Sequence, residues 1–222
     1  MDQLTTDFTP PKDSTKWLIA CLIAGGLLTG SMSYVAFVMP EADLIMALSF
    51  SLAASASFMF ALSLSASSFS YYFGWPNMKA GYQKQIGVMA YWQALVYSLS
   101  LLYLYPELYV YGLRDNIFTP DVVLGTTAMV IFTAMTAINS KWLAPHFTWD
   151  TIKFVLGLGF VAYAMLVMRA VFIEWPLWEA WLTTFEGYPP GRLVLSMVAM
   201  VVLFMRISIP IHIKFFKKAE GK

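Results

Sequence analysis

Six apolar stretches of about 20 residues each make up most of this sequence and leave few folds open to it. An α-helix needs about that many apolar residues to cross a hydrocarbon layer of about 30 Å. A helix also satisfies its own backbone hydrogen bonds, which lipid cannot do. The stretches are Trp17–Met39, Leu44–Phe69, Ile86–Tyr105, Val122–Ser140, Thr151–Phe172 and Leu193–Ile213. We therefore predict an all-α polytopic membrane protein with six transmembrane helices.

Charge and length indicate a single membrane domain. Only 12% of the residues are charged, against about a quarter in a typical soluble domain. The 222 residues leave no room for a second, soluble domain. We expect a polar N-terminal tail at 1–16, one six-helix domain at 17–216 and a basic C-terminal tail at 217–222. Thr119 and Thr148 stand where the N-caps of the fourth and fifth helices are expected.

The second stretch, Leu44–Phe69, is rich in serine and alanine. At 100° per residue its serines fall all around the helix, so no large apolar face is left for lipid. Small residues let neighbouring helices approach closely, and serine hydroxyls can bond to the same helix or across to another. We predict that this helix lies at the centre of the bundle, surrounded by protein.

Lysine and arginine are unevenly divided between alternate loops, which predicts the orientation. With the N-terminus inside, 11 basic residues lie on the cytoplasmic side and only Arg114, Arg169 and Arg192 on the other. Cytoplasmic loops typically carry such an excess, so we expect both termini to be cytoplasmic. The outer side then holds eight acidic residues and a net charge of −5. We expect a multi-pass protein of the plasma (inner) membrane.

The loop Glu174–Arg192 has the pattern of a short helix at about 176–186. Pro176 suits a first helical position, and tryptophan and leucine side chains follow on one face. Glu179, Thr183 and Glu186 fall on the opposite face. Such a helix either lies flat at the outer interface or enters the membrane as a re-entrant pore helix.

A five-residue motif in this loop supports the second alternative. The residues Thr184-Phe185-Glu186-Gly187-Tyr188 resemble the pore-loop filter of voltage-gated calcium channels, a Thr-x-Glu-Gly-Trp turn between the last two spans. The resemblance implies that Glu186 joins a carboxylate ring that selects cations, one chain supplying a quarter of the pore. Tyr188 stands where that family has Trp. The fourth stretch lacks the repeated basic residues of a voltage sensor.

Two polar seams run along the third and fourth stretches. Gln93, Tyr97 and Ser100 follow i, i+4, i+7 spacing. Thr133 and Thr136 begin a similar seam that continues to Ser140, with Asn139 beside it. Interhelical hydrogen bonds explain such seams at about 0.6 kcal/mol each, and a hydroxyl-lined solute path would have the same pattern.

Charges near the spans bear on mechanism. Arg206 lies inside the sixth stretch. Its side chain either extends to the cytoplasmic interface or bonds to exposed carbonyls near Pro210, and the alternative is a contact with an anion or a substrate. Arg169, at the outer end of the fifth stretch, is expected to pair with Glu174 or to reach lipid headgroups. No carboxylate lies within any of the six stretches. Proton-coupled transporters usually carry one there, so this class is disfavoured.

The sequence offers little for an enzyme. Its one cysteine, Cys21, excludes an intrachain disulfide and a cysteine metal cluster. His146 and His212 have no spaced ligand partners, so we predict no metal site. No catalytic or phosphate-binding motif is present, no catalytic residue is assigned and no cofactor is indicated.

Two functions fit this composition. The first is a transport protein or channel that passes a small solute or cation without proton coupling through intramembrane carboxylates. The second is a non-catalytic subunit of a larger membrane complex that holds pigment or lipid, for which 14 methionines and 17% aromatic residues offer adaptable apolar contacts. The expected partners are the lipid bilayer and either copies of this chain or other membrane subunits, and not nucleic acid. The candidate path residues are Glu186, Glu179, Thr184, Gln93, Tyr97, Thr133, Asn139 and Arg206.

Overall fold

Six long helices account for most of the chain. The computed structural model describes residues 13–74, 82–111, 117–140 and 142–214. The helices are α1 (Asp13–Val38), α2 (Leu44–Phe73), α3 (Gln83–Leu104), α4 (Pro120–Ile138), α5 (Trp149–Thr184) and α6 (Gly191–His212). All six are long and apolar enough to cross a membrane. The described ranges contain no strand, so the predicted all-α architecture with six helices of membrane-spanning length and hydropathy is confirmed.

Short local structures connect the long helices. A π-helical turn at Glu107–Tyr111 lies between α3 and α4, and a 3-10 turn at Ala144–His146 lies between α4 and α5. Thr119 occupies the N-cap position of α4. The Thr148 side chain caps α5 by accepting a bond from the Thr151 amide at 3.3 Å.

The fifth helix is longer than the sequence pattern predicts. We expected one helix to end at Phe172 and another to occupy about 176–186, but α5 continues through Pro176 to Thr184. Proline removes one backbone hydrogen bond from a helix interior. Across the same turn, Trp178 Nε1 donates to Glu174 Oε2 at 3.2 Å. Residues 176–184 are therefore the last turns of α5, and not a separate helix that begins at the proline.

The serine-rich α2 lies at the centre, as predicted. Of the six helices it has the largest buried share, and it packs against α1, α3, α5 and α6. Its hydroxyls bond to α3: Ser49 Oγ lies 2.8 Å from Ser100 Oγ, and Ser63 Oγ donates to the Gln83 carbonyl at 2.9 Å. The fully buried Ser55 lies 3.1 Å from Gln93 Oε1 and 3.4 Å from the Ala24 carbonyl, so it joins α1, α2 and α3.

Helices α4 and α5 form a second group beside this centre, and α6 contacts both groups. Helix α4 packs along α5, and α6 packs against both α2 and α5. The rings of Phe60 on α2 and Phe132 on α4 stack with centroids 4.0 Å apart. Tyr163 of α5, which is 1% exposed, donates to the Ser57 carbonyl of α2 at 3.0 Å. These contacts join the α1–α2–α3 group to the α4–α5 pair.

Candidate functional site

A cavity of about 490 Å³ lies where the two groups of helices meet. Side chains from α2, α3, α4, α5 and α6 line it, and none from α1. Most of the lining is apolar and includes Phe60, Phe132 and Ala199. Polar and charged side chains are also part of the lining: Tyr97, Tyr109, Asp121, Arg169 and Arg192. The cavity therefore combines apolar walls with a few specific polar groups, as small-molecule sites commonly do.

An ion pair between α4 and α5 forms the centre of the polar region. Arg169 Nε lies 2.5 Å from Asp121 Oδ1. The other carboxylate oxygen, Oδ2, accepts a bond from the Tyr109 hydroxyl at 2.6 Å. The side chains of Arg169 and Asp121 are only 17% and 21% exposed. Both oxygens of the carboxylate are thus occupied by protein donors.

Gly125 lets the arginine reach its partner. It lies one helical turn after Asp121, so the two residues share a face of α4. A Cβ atom built on Gly125 would lie 3.3 Å from Arg169 Nε and 3.6 Å from Arg169 Cζ. The contact with Nε is tighter than most Cβ atoms make, and the contact with Cζ is an ordinary van der Waals contact. The missing side chain therefore leaves room for the guanidinium group against the backbone of α4.

Tyr109 supplies a hydrogen-bond donor that keeps its proton. Burial raises the pKa of Tyr109 to about 12, and the hydrogen bond to the Asp121 carboxylate contributes to the same rise. A negative charge on the phenol would lie beside the carboxylate, which disfavours ionisation. Tyr109 consequently stays protonated near neutral pH and can donate to Asp121 throughout that range.

A second ion pair connects α5 to α6. Arg192 Nη1 lies 3.0 Å from Glu174 Oε1. The predicted pairing of Arg169 with Glu174 is therefore wrong: Glu174 pairs with Arg192, and Arg169 with Asp121. Helical geometry explains the difference, because residues five apart point about 140° from each other around the axis.

The cavity opens on the lateral surface of the bundle, between α3 and α4. Leu99 and Leu102 line it from α3 and are 56% and 44% exposed. Thr126 and Thr133 line it from α4 and are also exposed. These residues face both the cavity and the surroundings of the bundle, so they form the edges of a lateral opening.

Two of the predicted path residues line this cavity. They are Tyr97 on α3 and Thr133 on α4. Thr133 Oγ1 donates to the Met129 carbonyl at 2.8 Å and lies 3.3 Å from the Tyr91 hydroxyl.

The other predicted path residues do not line the cavity. Gln93 contacts Ser55, and Asn139 Nδ2 bonds to the Met135 carbonyl of its own helix at 3.0 Å. The Arg206 guanidinium lies over the Phe160 ring, 5.1 Å from its centroid. The last three are Glu179, Thr184 and Glu186, which are exposed at and just beyond the C-terminal end of α5.

The loop around Glu186 has an uncommon backbone. Phe185 and Gly187 on either side of it have φ of 53° and 73°. The amide of Glu186 donates to Thr184 Oγ1 at 3.3 Å. Left-handed conformations are uncommon at residues other than glycine, so the turn at Phe185 is a specific feature of this loop.

Sequence reasoning missed most of the charged group. Asp121, Tyr109, Arg192 and Gly125 were not singled out as site residues. The available signal was the position of Asp121 at the N-terminal end of the fourth span and of Arg169 near the C-terminal end of the fifth. Consecutive spans run in opposite directions, so such ends meet, and each charge gives the other a partner.

The described ranges contain no group of three His, Cys, Asp or Glu residues that could hold a metal ion. Cys21 is a free, exposed thiol. No protein-family model matches the sequence, and no curated protein is significantly similar to it. The cavity and its side chains are therefore the features of the molecule that bear on function.

Proposed function

We propose that this multi-pass membrane protein binds a small amphipathic molecule inside its helical bundle, either to carry it or to hold it within a larger complex. The observation that supports this function best is the 490 Å³ cavity with apolar walls and the Arg169–Asp121 pair. Its volume lies within the range of about 300–1,000 Å³ that is common for small-molecule sites.

The distribution of polarity favours an amphipathic occupant. Apolar side chains of five helices make up most of the walls. Apolar ligand atoms are stabilised there by about 25 cal/mol for each Å² removed from water. The charged side chains offer hydrogen bonds to a polar head and can fix its orientation. A fully polar solute would leave most of the walls without a favourable contact.

Photolabelling tests this function. A fatty alcohol with a mid-chain diazirine, irradiated with the full-length protein in nanodiscs, should label cavity-lining peptides of α2–α6. Ala53→Phe places a ring on the cavity wall and should remove most of that labelling. The matched variant Ala36→Phe, on an exposed site of α1 outside the cavity, should leave it unchanged. Equal labelling of all three proteins would contradict the proposed function.

Cation passage is a second candidate function, supported by the loop that presents Glu186. The left-handed turn at Phe185 is the observation in its favour, since strained backbone is concentrated at functional sites. If Glu186 joins a ring of carboxylates, Glu186→Gln should reduce cation flux into liposomes. Glu41→Gln, an exposed carboxylate in another loop, should not. Unchanged flux in the Glu186 variant would remove this candidate.

A further inference from the structure

We propose that the occupant of the cavity is a single-chain amphiphile with a carboxylate head, which enters from the bilayer between α3 and α4. This inference rests on the proposed function and specifies the chemistry of the ligand and its route. It is drawn from three features: the lateral opening, the excess of hydrogen-bond donors in the cavity, and the positive charge of the guanidinium groups that carry those donors.

The lateral opening identifies the source of the ligand. Its edges are leucine side chains on α3 and threonine side chains on α4 that are exposed on the outside of the bundle. If α3 and α4 cross the membrane as their length and hydropathy indicate, this side of the bundle faces hydrocarbon. A molecule dissolved in the bilayer can then pass into the cavity without crossing water.

The hydrogen-bonding groups of the cavity specify the polar head of the ligand. Asp121 already accepts from Arg169 and from Tyr109 with its two oxygens. Arg169 uses Nε for this bond, and within the described residues its two Nη groups make no hydrogen bond. Arg192 contacts Glu174 through Nη1. The cavity thus offers unused donors from two guanidinium groups, which an acceptor on the ligand can satisfy.

The positive charge of the guanidinium groups favours an anionic acceptor. Each of the two arginines is paired with a carboxylate, Arg169 with Asp121 and Arg192 with Glu174, so the unused donors belong to cationic groups in a region of no net charge. A carboxylate matches the planar fork of a guanidinium group and forms short, charge-assisted hydrogen bonds with it. A neutral alcohol can accept only weaker bonds from the same donors. The apolar chain then extends along the walls that contain Phe60 and Phe132.

Two lipids that have the same hydrocarbon chain and different head groups test whether the ligand carries a carboxylate. Binding of oleate and oleyl alcohol to the full-length protein in nanodiscs is measured by native mass spectrometry. We expect oleate to bind about tenfold or more tightly than the alcohol. The charge-balanced variant Asp121→Asn/Arg169→Gln leaves no unpaired buried charge. It should weaken this preference, since only the Arg192 donors remain, while it keeps its affinity for the alcohol.

The matched control removes another ion pair from α5. Asp150→Asn/Lys153→Gln eliminates an exposed pair at the opposite end of that helix and should keep the full preference for oleate. If the wild-type protein binds both lipids equally, the carboxylate assignment is wrong although the cavity still binds an amphiphile. If it binds neither, the proposed function itself fails.

The rate at which oleate associates with the protein tests the route of entry. Thr126→Trp adds bulk at the edge of the opening and should slow oleate association with little change in affinity. Val130→Trp, on an exposed site of α4 outside the cavity lining, is the control. Entry between α3 and α4 would be contradicted if Thr126→Trp left the association rate unchanged, or if both variants slowed it equally.

Discussion

At the scale of single residues, Gly125 and Arg169 illustrate how one missing side chain determines an ion pair. The guanidinium group passes close to the backbone of α4 and reaches the carboxylate one turn away. It cannot easily move aside, because Asp121 holds it on one side and the helix backbone on the other. The pair thus depends on a residue that carries no functional group.

Replacing Gly125 by alanine should change the free energy of unfolding in the opposite direction from the same replacement at an unhindered glycine. Gly125→Ala should lower the free energy of unfolding by about 1–3 kcal/mol, since the added Cβ crowds Arg169. Gly157→Ala on α5 meets nothing within 4 Å and should stabilise by up to about 1 kcal/mol, because alanine favours the helix. Reversible unfolding in mixed micelles measures both values. Stabilisation by Gly125→Ala would show that Arg169 has room to move.

The raised pKa of Tyr109 predicts a loss of stability at high pH. Its pKa in the folded protein is raised to about 12, from 10.0 for an unperturbed tyrosine. A raised pKa means that the folded state holds the proton more tightly than the unfolded state does. The resulting stabilisation is complete below pH 10 and is lost as the pH rises towards 12.

A difference titration measures this ionisation. The ultraviolet absorbance of phenolate is recorded for the wild-type protein and for Tyr109→Phe, and one spectrum is subtracted from the other. The difference should appear near pH 12, where Tyr109 ionises. A difference that appears near pH 10 would show that the phenol does not have the buried contact with Asp121.

At the scale of helices, the sequence predicts well where each span lies and less well what its side chains contact. Five of the six helices begin and end within four residues of their predicted limits. Continuous hydrophobicity is a local property, and it is sufficient for this purpose. The end of α5 was missed because Pro176 has the same local pattern at a helix start and inside a helix that neighbouring contacts support.

Side-chain partners depend on which helix faces meet, and periodicity alone does not specify them. Gln93 and Tyr97 follow the same i, i+4 seam, yet Gln93 bonds to α2 and Tyr97 lines the cavity. The cavity depends on the relative placement of five helices. Its apolar walls therefore could not be distinguished in the sequence from ordinary lipid-facing surface.

The hydroxyls of α2 predict an effect on helix association. Ser55→Ala should cost about 0.6–1.7 kcal/mol, because Ser55 is in contact with both α1 and α3. Ser33→Ala is the control, since Ser33 is exposed and bonds to the Thr29 carbonyl of its own helix. The free energy of unfolding in micelles gives the comparison. Equal values for the two variants would show that the contacts of Ser55 add nothing to helix association.

At the scale of the whole molecule, the bundle consists of a three-helix group and a helix pair, which are joined by direct contacts of α2 with α4 and α5 and also by α6. Near its C-terminal end, α6 contacts α2 through Ser208 and His212, whose side chains lie 2.6 Å and 2.8 Å from the hydroxyls of Tyr72 and Tyr71. At its other end, Arg192 connects α6 to α5. The cavity lies between the two groups, so any change in their spacing alters its shape.

The orientation of the bundle is a prediction that labelling can test. The loop charges predict that both termini lie in the cytoplasm. In a Cys21→Ser background, Glu41→Cys should react with an impermeant maleimide added to intact cells. Asp13→Cys should react only after the membrane is opened. The reverse pattern would place the termini outside and would turn the Arg169–Asp121 region towards the cytoplasm.

The length of α5 has a consequence for the membrane around it. Its 36 residues span about 54 Å, well beyond a hydrocarbon layer of about 30 Å. A helix of this length either tilts or projects from the bilayer, and the balance between the two follows bilayer thickness. Since α5 carries Arg169, a thinner membrane that tilts α5 further should also displace one wall of the cavity. Ligand occupancy should then differ between nanodiscs of short-chain and long-chain lipids, which would make the protein responsive to the thickness of its membrane.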